Sequence, residues 1–130
     1  MTKTAVIYTR CASRVPGDHA IAPKLERCRK VARGLGAAVV HEFTDLGVSG
    51  ANPHRPGLDQ LLHFIERETV DFVICTELST LARTVPLLAD VTLRIQLVGT
   101  HLVIADRNLV VDSQRAADIA AASLPPQTED

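Results

Sequence analysis

The sequence predicts an α/β fold: a mainly parallel sheet with helices on both faces. Two observations predict it. Short apolar runs rich in β-branched residues alternate with segments whose apolar residues recur at helical spacing, the pattern of strand–helix–strand units. Glycine and proline fall at the joints between them, and Pro86 is tolerable only in the first turn of a helix.

Ala5 to Tyr8 reads as the first strand, followed by a loop with Pro16, Gly17 and Asp18. Ile21 to Leu35 reads as a helix, with Leu25, Cys28, Val31, Ala32 and Leu35 at helical spacing and Gly36 as its cap. Ala38 to Phe43 is the second strand, and Thr44 to Pro56 a long loop. Leu58 to Glu66 is a short helix with Leu58, Leu61, Leu62 and Ile65 on one face. Val70 to Cys75 is the third strand. Val85 to Val98 is a second long helix, with Leu87, Leu88, Val91, Ile95 and Val98 near one side and Gly99 ending it. His101 to Ala105 is the fourth strand. Asp106-Arg107-Asn108 turns into a short fifth, Leu109 to Val111. Asp112 or Ser113 caps a last helix through about Ser123. One domain over residues 1–123 and a disordered polar tail over 124–130 account for the 130 residues.

Net charge is -1. A stand-alone nucleic-acid binder carries a basic excess, because phosphate neutralisation drives affinity. DNA binding by this chain alone is therefore expected to be weak. The three cysteines are widely spaced and form no C-x-x-C pair, and the five histidines show no metal-ligand spacing. We expect no metal, no cofactor, reduced thiols and a cytoplasmic protein without a membrane span.

Three stretches carry chemistry. Tyr8-Thr9-Arg10 ends the first strand. Asp45-Leu46-Gly47-Val48-Ser49-Gly50 is followed by Arg55-Pro56-Gly57-Leu58. Leu78-Ser79-Thr80-Leu81-Ala82-Arg83 follows the third strand. In this order and spacing they resemble the Y-x-R-x-S, D-x-G-x-S-G, R-P-G-L and L-D-R-L-x-R motifs of serine recombinase catalytic domains, the resolvase/invertase family. The likeness runs over about residues 4 to 118. It implies a three-layer fold with four parallel strands plus a short fifth. It also implies metal-free phosphoryl transfer, in which a serine attacks a DNA phosphodiester while arginines stabilise the charge on the phosphorus oxygens.

Carried over by position, Arg10, Arg55 and Arg83 are the arginines of that site, and Asp45 and Ser49 are the polar residues of a phosphate- or DNA-binding loop. The departures fall at the reactive positions. Ala12 stands where the family has its nucleophile. Ser79 and Thr80 replace an acid and an arginine. Lys24, in the run Ala20-Ile21-Ala22-Pro23-Lys24, stands where the family often carries glutamine. Ser13 is the alternative nucleophile, but neighbouring residues in extended chain point to opposite sides.

The family's small members continue into a helix-turn-helix domain; here the last helix meets Pro125-Pro126, and we expect no DNA-reading domain within these residues. Two functions compete. One is a catalytically inactive module that pairs with itself or with a related recombinase. The other is an active recombinase forming a 5′-phosphoserine link through Ser13. A flavodoxin-like anion binder is a third reading, since the loops after Tyr8, Phe43 and Cys75 share one end of the sheet. His54, beside Arg55, reads as an exposed loop residue.

Overall fold

The computed structural model describes residues 2–11, 21–47, 55–107 and 109–111. Its elements are β1 (Lys3–Cys11), α1 (Ile21–Gly34), β2 (Ala37–Leu46), α2 (Pro56–Arg67), β3 (Phe72–Cys75), α3 (Leu78–Leu81), α4 (Val85–Leu97), β4 (His101–Ile104), a 3-10 turn (Ala105–Arg107) and β5 (Leu109–Val111). The sheet order is β2-β1-β3-β4-β5. The first four strands run parallel and β5 is antiparallel to β4. This is the expected α/β architecture of four parallel strands and a short fifth.

β1 lies between β2 and β3, and Ala5 to Tyr8 are wholly buried. Side-chain alternation along it feeds two cores. Val6 and Tyr8 face Leu58, Leu61, Leu88 and Ile95, so α2 and α4 cover that side. Ala5 and Ile7 face Cys28 and Ala32 of α1 on the other. A parallel sheet buried on both faces needs such continuous apolar strands.

Several boundaries move. β1 extends from Lys3 to Cys11 and β2 reaches Leu46, so the loop expected from Thr44 is shorter and Asp45 belongs to a strand. α2 starts at Pro56, two residues earlier than its apolar face suggests, because proline suits a first turn. β3 starts at Phe72 rather than Val70. α3 was not foreseen: one turn is too short to show a period. Leu88, Val91 and Ile95 of α4 are spent on the core, so that face is closed to a partner, and Leu93, Leu97 and Val98 are the exposed apolar residues near the helix end. Gly99, at φ 80, makes the left-handed turn that ends α4.

No helix among the described residues is long and apolar enough to cross a membrane. Ala12, Ser13, Ser49, His19, His54, the expected helix from Ser113 and the tail after it lie outside the described residues.

Candidate active site at the C-terminal end of the first strand

Tyr8 and Arg10 share one face of β1, two residues apart. The Tyr8 hydroxyl donates to Asp45 Oδ2 at 2.7 Å, and Asp45 also accepts from the backbone N–H of Gly57 at 2.8 Å and of Leu58 at 3.0 Å. Helix α2 opens with Arg55 as its cap residue, which makes no side-chain cap bond, and with Pro56, which has no N–H. Its first N–H groups would be unsatisfied. A carboxylate from the neighbouring strand takes the place of a local cap, with its charge at the positive end of the helix.

Gly57 makes the approach possible. A Cβ there would meet the Thr44 carbonyl oxygen at 2.8 Å and Asp45 Cγ at 3.0 Å. The R-P-G-L glycine thus serves packing. Burial, reinforced by the bond to Asp45, pushes the Tyr8 phenol well above its ordinary range. Asp45, expected to bind phosphate or DNA, is a buried anion already accepting three hydrogen bonds. Its contacts join β1, β2 and α2.

Arg55 is only 1% exposed. Its guanidinium lies over the Tyr8 ring, 5.9 Å from the centroid. Nη1 donates to the Thr80 carbonyl at 3.0 Å and Nη2 to the Leu81 carbonyl. Arg10 Nη2 donates to the Ser79 carbonyl at 3.3 Å. A four-residue helix cannot satisfy its own last carbonyls. Two arginines therefore hold three consecutive carbonyls, residues 79 to 81.

Burial lowers the Arg10 guanidinium from its ordinary value. Tyr8 works against that shift, while Arg55 and Arg83 add repulsion, which brings both within electrostatic range of Arg10. Arg83 is exposed and makes no hydrogen bond or ion pair among the described residues.

The substituted positions are filled compactly. Thr80 is buried, its hydroxyl 3.3 Å from that of Thr76. The Ser79 hydroxyl donates to Glu77 at 3.2 Å. Lys24, half-buried on α1, reaches across the end of β1, and its Nζ donates to the Arg10 carbonyl at 3.2 Å. Sequence reasoning treated Lys24 only as a lost position and gave Tyr8 and Gly57 no structural role. The even spacing of Tyr8 and Arg10 was the available signal for the first of these.

The arrangement gathers cations at the C-terminal ends of β1 and β3, and Asp45 is occupied by three donors. It suits an anion better than proton transfer. No group of His, Cys, Asp or Glu that could hold a metal occurs among the described residues. An open cleft of about 690 Å³ between α1 and β2, lined by Arg29, Arg33 and His41 among others, flanks the opposite half of the sheet edge and includes none of these residues.

A family model described as the resolvase N-terminal domain matches residues 5–123. No curated protein matches the chain. Among solved structures, the N-terminal catalytic domain of TP901-1 integrase is 24% identical with a TM-score of 0.75, over 92% of this chain and 93% of that one. The C-terminal catalytic domain of ISC1926 TnpA, an IS607-like serine recombinase, is 26% identical with a TM-score of 0.69, over 78% and 67%. A resolvase family site-specific recombinase from Streptococcus pneumoniae is 19% identical with a TM-score of 0.73, over 93% and 85%.

Proposed function

This chain belongs to the resolvase N-terminal domain family of serine recombinases, and from that premise we propose that it is a recombinase-fold module that does not cut DNA. It acts in recombination by association, with a second copy or with an intact recombinase, in the cytoplasm, where its thiols stay reduced.

One observation carries the reading. The guanidinium groups of Arg10 and Arg55 are directed at the main-chain carbonyls of residues 79 to 81. Arg55 is sealed from solvent in that role. The sequence agrees. Position 12 offers a methyl group in place of a hydroxyl, and position 80 offers a buried threonine in place of a cation. Loss of a single charge-stabilising donor costs about 10²–10³ in rate, and loss of the nucleophile removes the covalent route itself.

Association has support on the surface. Leu97 is 75% exposed, and Leu93 and Val98 lie exposed beside it. With a net charge of -1, DNA contributes little to holding the assembly together unless a partner supplies it.

The test is a nicked suicide substrate carrying a recombination site, with denaturing gels to detect a covalent protein–DNA adduct. The reading expects none from the wild-type chain. An adduct that Ser13→Ala abolishes would establish the competing function and end this one.

A further inference from the structure

Beyond Arg10, Arg55 and Arg83, positive charge can reach the end of β1 from position 80 on α3 or from position 24 on α1, one on each side of the sheet. From the α3 side, position 80 supplies none, because Thr80 is buried against Thr76. From the α1 side, Lys24 supplies one. The residue is half-buried and its ammonium donates to the Arg10 carbonyl, the last but one of β1. No described carboxylate pairs with Lys24, although its neighbours on α1 are paired: Arg27 with Asp106, Arg29 with Glu42 and Arg33 with Glu26.

An ammonium has three donors, and the Arg10 carbonyl uses one. The two left over sit at the end of β1 beside the Arg10 main chain, and the Arg10 guanidinium feels the charges of Arg55 and Arg83. Arg55 Nε is buried there with no hydrogen-bond partner among the described residues.

We propose that Lys24 is an anion-contacting residue of this site, giving a phosphodiester oxygen of a DNA strand the cation that position 80 no longer provides. Compared with the family pattern, the charge has moved from α3 to α1: an arginine gives way to Thr80, and a neutral glutamine gives way to Lys24. Contact without cleavage is what a module lacking a nucleophile can do with such a charge. The inference therefore rests on the reading of this strand end as a recombinase site.

Glutamine at position 24 keeps a donor for the Arg10 carbonyl and removes only the charge, which makes Lys24→Gln the informative change. Binding of a short fluorescent DNA duplex is measured over a salt series for wild type, Lys24→Gln, Lys24→Arg and Lys30→Gln, the last an exposed lysine on the same helix. Each phosphate contact contributes about 0.9 to the slope of log K against log salt. Lys24→Gln is expected to lower that slope by about one and to weaken binding several-fold at low salt. Lys24→Arg and Lys30→Gln are expected to match wild type, and all four to share one thermal midpoint.

The proposal is overturned if Lys24→Gln binds like wild type, or if Lys30→Gln reproduces its loss. It is also overturned if the Lys24→Gln midpoint falls with affinity and Lys24→Arg fails to restore both, which would make the residue a structural tie. Absence of any wild-type binding at low salt overturns it while leaving the non-cutting reading intact. A covalent adduct does the reverse.

Discussion

Replacing Asp45 with alanine removes one buried carboxylate and strands three donors: the Tyr8 hydroxyl and the N–H groups of Gly57 and Leu58. A hydrogen bond to a charged group is worth about 1.5–3 kcal/mol net, and a buried donor left without a partner costs about 1–3 kcal/mol. These terms overlap. Solvent also reaches the opened helix end in part, so about 3–5 kcal/mol is the expected loss for Asp45→Ala. That is a large part of the roughly 5–15 kcal/mol that holds a domain of this kind together. At a urea dependence of about 1.5 kcal/mol per molar, the midpoint should fall by about 2–3 M.

Tyr8→Phe removes one of the three bonds and should cost about 1–2 kcal/mol. Asp45→Asn, which keeps an acceptor, should fall between the two. Urea unfolding followed by far-ultraviolet circular dichroism measures all three. A midpoint for Asp45→Ala within about 0.5 M of wild type would refute the reasoning. So would a Tyr8→Phe variant as damaged as Asp45→Ala.

Further outcomes follow from the same contacts. Tyr8 is the only tyrosine, so phenolate absorbance reads it directly. Its folded value is raised, so its contribution to stability is complete below the ordinary phenol value of about 10 and is lost as pH rises above it. The folded protein should therefore show no phenolate near pH 10, and phenolate should appear only together with unfolding. A reversible titration near 10 in folded protein would contradict the burial. Gly57→Ala should cost about 1–3 kcal/mol through overpacking against the Thr44 carbonyl, measured by the same urea melts; a neutral substitution would contradict the close approach. Leu97→Glu should leave the thermal midpoint unchanged and weaken association in sedimentation velocity. Association equal to wild type would remove that surface from the account.

The framework was readable because strands buried on both faces must be apolar throughout and helices that cover them must be apolar on one side. Ala5 to Tyr8 and the Leu58-Leu61-Leu62-Ile65 face carry those constraints, and all eight residues are buried. The site was readable only as a set of positions. Motif spacing put Arg10, Arg55 and Arg83 in one neighbourhood, and Arg55 and Arg83 both act on the charge of Arg10. Spacing could not tell that Arg55 would be sealed. That depends on α3, a single turn whose carbonyls need outside donors, and one turn leaves no periodic trace. The capping role of Asp45 was hidden for a related reason. A carboxylate in a motif suggests a ligand, while its use as a cap for a helix that starts at Pro56 depends on where β2 ends relative to α2. Lys24 was read as an absence because the pattern names what the family has, and a half-buried lysine with one carbonyl partner becomes informative only when the end of β1 is seen beside it.

A recombinase fold that does not cut DNA requires Arg55 to be committed to the protein's own backbone. Arginine modification by phenylglyoxal, mapped by peptide mass spectrometry on the folded protein alone and with DNA, tests this directly. Arg83, exposed, should react rapidly. Arg55, 1% exposed, should stay unmodified under both conditions. Modification of Arg55 as fast as Arg83, or protection that appears only when DNA is added, would mean that its guanidinium faces the phosphate after all.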